Sequence, residues 1–286
     1  MRRVTVLLVA LVLATTAACT PANETPPDVQ VSGDPGSAPE LSFPTPYAVP
    51  TQRVEVLVPG DGPALEPGQP VLLDFYAESA EDASVIGDTY SSEPRPFVMS
   101  AEALGPDLFA ALSGQSVGAR ILQLAPARQG YPATVAVYDV LPTRATGEPV
   151  TPREGLPTVT LAADGEPTIT MPDGDPPSEN VVQPLIRGSG PQVQAGQAVT
   201  VQYVGATWTD GTVFDSTWTD DKLPATFPIG VGSVPDGWDE GIVEQTVGSQ
   251  VLLVLPPGQG GEAGLNDQTL VYVVDILAAS GGPEGS

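Results

Sequence analysis

Histidine is absent from this chain, and lysine and cysteine occur once each, as Lys222 and Cys19. Without an imidazole there is no Ser-His-Asp or Cys-His relay and no His-ligated metal site. No run carries the D-x-D-x-D-G spacing of a calcium loop. The carboxylates leave a paired-acid hydrolase open in principle, yet no apolar setting singles out one acid as a proton donor. Positive charge is equally scarce, with ten Lys plus Arg against 35 Asp plus Glu in 286 residues. Nucleic-acid binding needs clustered Lys and Arg to neutralise phosphates, and no such cluster exists. Long apolar runs are also missing. Val4 to Ala14 is unbroken but for Thr5, and it falls far short of the roughly 20 residues of a membrane-spanning helix.

What the N-terminus does have is a short basic start, Arg2-Arg3, then that apolar run, then small residues. This pattern reads as a secretory signal over residues 1–18. A single cysteine in an exported chain has no internal partner. Thr16-Ala17-Ala18-Cys19 resembles the lipobox of bacterial lipoproteins, although Thr16 stands where that family usually has Leu. The resemblance implies an acylated Cys19 and a protein held at the outer face of the cell membrane by lipid alone, with ordinary secretion as the alternative. Removing residues 1–18 takes away two arginines and no acid, leaving eight cations against 35 acids, a net charge of −27. A body so charged is repelled by anionic headgroups and stays soluble.

Residues 19–35 are Pro-rich and polar and read as an extended tether. Beyond them the chain repeats itself. Pro39-Glu-Leu-Ser-Phe-Pro44 answers Pro167-Thr-Ile-Thr-Met-Pro172, Gly60-Asp-Gly-Pro63 answers Gly188-Ser-Gly-Pro191, and Pro67-Gly-Gln-Pro-Val71 answers Ala195-Gly-Gln-Ala-Val199, all at one offset of 128 residues. Gln115-Ser-Val-Gly118 answers Gln245-Thr-Val-Gly248 two residues later in register. So sustained a register is an internal duplication. The expected organisation is a first copy at 36–145, a linker at 146–155, a second copy at 156–280 and a tail at 281–286.

Ala198 to Val204 alternates, with Val199, Val201 and Tyr203 on one face. Gln250 to Leu255 and Thr269 to Leu277 are apolar and β-branched, and Asp210-Gly211 marks a tight turn. Asp236 to Gln245 differs: Trp238 and Ile242 fall on one helical face, with Asp236 as the expected cap. Many strands around one short helix predict an α+β fold, a curved antiparallel sheet wrapped over the helix in each of two tandem domains.

Seven short motifs run through the second copy: Val-Gln-Tyr-Val-Gly (201–205), Asp-Gly-Thr-Val-Phe-Asp-Ser (210–216), Phe-Pro-Ile-Gly (227–230), Gly-Trp-Asp-Glu-Gly (237–241), Val-Gly-Ser-Gln (247–250), Leu-Pro-Pro (255–257) and Thr-Leu-Val-Tyr (269–272). In this order and spacing they resemble the FKBP-type peptidyl-prolyl cis-trans isomerases, over about Thr158 to Ala278. The resemblance implies a pocket floored by Trp238, walled by Tyr203, Phe214, Phe227 and Tyr272, rimmed by Val234 and Pro235, with Asp215 beside it. Taken singly, each of these aromatics reads as a core residue rather than a pocket wall. As a set they suit an amide rotation. Resonance holds the X-Pro bond planar, and a dry aromatic pocket favours the twisted form relative to the planar one. That chemistry uses no nucleophile, metal or cofactor, so the missing histidine is no handicap.

Two departures bear on activity. Pro235 stands where the family has a residue with a free N–H, and Gly261 stands where it has a pocket Tyr. At about 1 kcal/mol per lost donor, turnover drops by about tenfold or more. In the first copy Phe75, Ile86, Gly87 and Leu108 replace Tyr203, Phe214, Asp215 and Trp238, while Phe97 answers Phe227. That copy reads as a degenerate, non-catalytic spacer or binding domain. The implied partners are proline-containing exported polypeptides, with macrolides as candidate ligands. The implied role is folding assistance outside the cytoplasm, the alternative being a non-catalytic lipoprotein that binds proline-containing segments or acts as a scaffold.

Overall fold

The computed structural model describes residues 29–219, 222–261 and 264–282. The expected signal, Cys19 and the end of the tail lie outside the described residues. Ten elements come first: β1 (Gln30–Ser32), β2 (Glu40–Ser42), β3 (Arg53–Val58), β4 (Pro70–Ser79), β5 (Val85–Asp88), β6 (Arg95–Val98), α1 (Ala101–Leu104), α2 (Pro106–Leu112), β7 (Arg120–Ala125) and β8 (Thr134–Leu141). Ten more follow: β9 (Glu148–Pro149), β10 (Thr158–Leu161), β11 (Pro167–Thr170), β12 (Val181–Arg187), β13 (Ala198–Thr207), β14 (Val213–Ser216), β15 (Ala225–Pro228), α3 (Asp236–Ile242), β16 (Gln250–Leu255) and β17 (Leu270–Ser280).

Strand for strand, the two halves share one topology. The first sheet is ordered β3-β7-β8-β4-β5 with β6 also on β4, and the second β12-β16-β17-β13-β14 with β15 also on β13. Every pairing is antiparallel. Each sheet is accompanied by a two-stranded hairpin, β1-β2 or β10-β11. The hairpins match at the same 128-residue offset: Val31 faces Leu41, and Val159 faces Ile169.

The central strands are apolar without a break because both their faces are covered. In the second sheet Val251, Leu253, Tyr272, Val274 and Ile276 point to the helix side with Trp238 and Ile242, while Leu252, Val254, Val271 and Val273 point the other way. Ile169, Val159 and Leu156 close that second face. The first sheet has the same arrangement, with Leu122, Leu124, Val135 and Val137 covered by Val29, Val31 and Leu41.

Two sequence expectations are corrected here. Residues 29–35 are not free tether. Val29 is buried, Arg120 donates to the Gly33 carbonyl (2.6 Å), and Gly36 N donates to Asp139 (2.7 Å). The linker contributes a strand of its own, β9, which adds an edge to β12 through Ile186–Pro149 and Arg187–Glu148. The helix starts behind Pro235 as its cap residue, with Asp236 in its first turn and no side-chain cap bond. It stops at Ile242, because Val243 turns extended and Glu244 takes φ of 70°.

Candidate active site in the second domain

β13 delivers Tyr203 from the sheet centre, β14 Phe214 and Asp215, β15 Phe227, β17 Tyr272, and α3 Trp238. Their rings meet around the indole. Tyr203 stands 5.2 Å from it at 89°, Tyr272 5.3 Å at 84° and Phe227 5.7 Å at 74°. Phe214 meets Tyr272 edge-on at 5.6 Å and 88°. Edge-to-face contacts like these fix ring orientation beyond what burial alone does. Trp238 and Tyr272 are buried, whereas Tyr203, Phe214, Phe227 and Val234 are only partly so and form the outer side of the cluster. Gly205 makes this closeness possible, since a Cβ there would lie 2.8 Å from Phe214 and 2.9 Å from Tyr272.

Asp215 closes one side. It accepts from the Tyr203 hydroxyl, from Ser216 N (2.9 Å) and from Lys222 Nζ (2.5 Å). Burial pushes its carboxyl up, but the Lys222 and Tyr203 hydrogen bonds together with the ammonium charge outweigh that and hold it below its ordinary 3.8. The carboxylate therefore stays ionised beside the rings at neutral pH. Thr217 Oγ1 accepts from Tyr203 N (2.8 Å) and braces the same corner.

The opposite rim is built on backbone. Asp239, one residue past the indole, accepts from Gly230 N and Gly232 N, each at 2.7 Å, and so pins the loop that carries Val234. Pro235 and Gly261, far apart in sequence, meet here. Gly261 has φ of +66°, and a Cβ on it would lie 2.5 Å from Pro235 Cγ. The two departures from the family pattern are thus one packing unit: the proline ring occupies the space a side chain at 261 needs. Tyr272 OH donates to the Gly260 carbonyl (3.2 Å) and ties this loop down.

All eight pocket residues expected from the sequence lie in or beside this cluster. Lys222, Asp239, Thr217 and Gly205 were not anticipated as part of it. The signal for Lys222 was present, since the sole lysine follows Asp215 by seven residues in an acidic chain. In the first domain Phe75 sits at the Tyr203 register and Gly87 at the Asp215 register. A Cβ on Gly87 would come 2.8 Å from the Phe75 ring, so ring and glycine replace the hydroxyl–carboxylate pair as a unit. Tyr272 becomes Ala136, and one wall disappears.

Residues 190–277 match the family model described as FKBP-type peptidyl-prolyl cis-trans isomerase. A FK506-binding protein of Streptomyces anulatus is 35% identical over 120 residues, which is 40% of this chain and 96% of the relative. A probable FK506-binding protein of Corynebacterium glutamicum is 34% identical over 119 residues, 40% of this chain and 98% of the relative. Peptidyl-prolyl cis-trans isomerase Fkbp12 of Drosophila melanogaster is 40% identical over 103 residues, 34% of this chain and 94% of the relative. With nearly the whole length of such relatives matched, this chain belongs to the FKBP-type peptidyl-prolyl cis-trans isomerase family.

Proposed function

We propose that the second domain catalyses cis–trans rotation of X-Pro bonds in exported polypeptides. The observation that supports this best is the ring cluster around Trp238, with the Tyr203–Asp215 bond at its edge. A proline ring laid on the indole leaves water, and the planar amide loses the solvation that favours its charge-separated form. Tyr203, Asp215 and Trp238 are the residues assigned to the rotation. Phe214, Phe227, Val234, Pro235 and Tyr272 are assigned to holding the proline and its neighbours. Pro235 offers no N–H, and the family's tyrosine hydroxyl has no counterpart at Gly261, so turnover is expected to be modest. The test is a prolyl isomerase assay of the full chain on tetrapeptides with an apolar residue before proline. Activity that falls at least about tenfold in Trp238→Leu, with the fold retained, supports the reading. Wild-type protein that binds such peptides and macrolides without turning over any peptide favours the second reading, a proline-segment binding module. The donor-poor rim of Pro235 against Gly261 speaks for that alternative.

The proposed setting is the outer face of the cell membrane, with the chain anchored by acylation of Cys19 and the first domain serving as a non-catalytic spacer or binding unit. The support is the lone cysteine behind a short apolar run in an otherwise cysteine-free sequence. Membrane fractionation of Cys19→Ala decides it: release into the soluble fraction is expected, and continued membrane association overturns the anchor.

A further inference from the structure

The passage from the first sheet to the second has no slack. β8 ends at Leu141, and two residues later the Thr143 carbonyl accepts from Gln202 Nε2 (2.9 Å). Ala145 N then donates to Asp275 (2.8 Å), Thr146 N to the Gly248 carbonyl (2.9 Å), and β9 pairs with β12. A connection pinned at successive residues does not swivel freely. It sets the Pro63–Pro70 loop of the first domain opposite the Trp218 turn of the second, across a cleft of about 880 Å³.

This cleft begins where the ring cluster ends. Lys222 lines it and at the same time donates to Asp215, the partner of Tyr203. Its walls carry unused hydrogen-bonding capacity. The Trp218 indole nitrogen is buried and finds no partner among the described residues, and neither does Gln202 Oε1 on the same wall. A buried polar group left unpaired is costly, and such groups are kept where a ligand or water satisfies them. Arg144 and Lys222 share these walls with Glu66, Asp164 and Glu166, so charge of both signs is present, and the unpaired indole N–H is the donor left to meet a carbonyl. A chain segment rich in proline presents the complement: it lacks N–H groups at its prolines, holds an extended shape and turns its carbonyls outward.

Resting on the proline-binding reading of the ring cluster, we propose that this cleft is a second polypeptide site, which takes the extended, carbonyl-displaying segment flanking the proline held at Trp238. The first domain then contributes one wall of client binding although its own ring set lacks the indole floor and two of the walls. Two variants of the full chain test this. Gln69→Trp fills the cleft from an exposed position on the first domain, and Trp218→Phe keeps an aromatic ring while deleting the indole N–H. Each is assayed on a tetrapeptide and on an unfolded protein whose refolding waits on X-Pro rotation. Engagement at two linked sites predicts that the ratio of unfolded-protein to tetrapeptide kcat/KM falls about tenfold in both variants. A ratio that stays at the wild-type value overturns the cleft. If wild-type protein turns over neither substrate, the isomerase reading fails by itself, and fluorescence anisotropy of the labelled unfolded protein decides the cleft: weaker binding by both variants upholds it, and equal binding overturns it.

Discussion

Trp238 shows how much one side chain carries. Its indole is the common neighbour of three other rings, so replacing it by Ala would open a cavity and cost about 3–5 kcal/mol of stability. Trp238→Leu copies Leu108 of the first domain and keeps an apolar floor, so it is expected to unfold within a few degrees of wild type while losing most turnover. Calorimetry and the tetrapeptide assay together check this. Gly261→Ala makes a sharper case. A side chain at φ of +66° is strained, and its Cβ collides with Pro235. The expected loss is about 1–3 kcal/mol, part of it recovered when Pro235→Ala is added, and a double-mutant cycle by urea unfolding measures that coupling. The residue types of the cluster were legible from motif order alone. The collision was not, because residue identities report no distances, and the sequence presents positions 235 and 261 as two separate losses. Tyr for Gly261 would therefore not restore a donor without displacing the proline.

Among elements, β16 and β17 were readable from their β-branched, apolar runs, and the turn at Asp210-Gly211 from its dipeptide, with Gly211 N donating to the Thr207 carbonyl (2.9 Å). The hairpins β1-β2 and β10-β11 were not read as elements. Two valines among prolines look inert until the outer faces of β7 and β8 exist to receive them. The same strands hold a polar row across each sheet: Gln250–Asp275–Gln202 in the second, Arg120–Asp139–Asp74 in the first. Burial raises the Asp275 carboxyl to about 6, with the Ala145 and Gln250 hydrogen bonds and the Arg144 charge opposing only in part. A carboxyl raised above its unfolded value binds its proton more tightly in the folded state. Its contribution is thus fully present below the ordinary carboxylate range and is lost as pH rises through about 6. Stability of the second domain should rise between about pH 7 and pH 4 by up to about 3 kcal/mol from this residue. Other acids shift with pH as well, so the readout is the difference between wild type and Asp275→Asn, whose stability profile should be flatter over that window.

At the scale of the molecule, each domain is entered by a segment that its own sheet clasps. In the second this is the stretch from Thr143 to Thr146, where the first copy runs into the linker, held by Gln202, Asp275 and Gly248. In the first it is residues 33–37, whose Gly33 and Ser37 carbonyls accept from the Arg120 guanidinium at 2.6 and 2.7 Å while Asp139 takes the other side of that group. Arg120 is fully buried, so its charge depends on these partners. The duplicated hairpin therefore moves the start of the first folding unit from residue 36 to about 29. A fragment covering 29–145 is expected to unfold cooperatively. One covering 36–145 lacks Val29 and Val31 and leaves one guanidinium nitrogen of Arg120 without its carbonyl. Losing the burial of Val29 costs about 1.5–3 kcal/mol and the lost carbonyl about 1–3 more. For a domain of this size the shorter fragment should melt about 10–20 °C lower, or fail to fold. Equal melting temperatures for the two fragments would return residues 29–35 to the tether and leave the clasp without energetic weight.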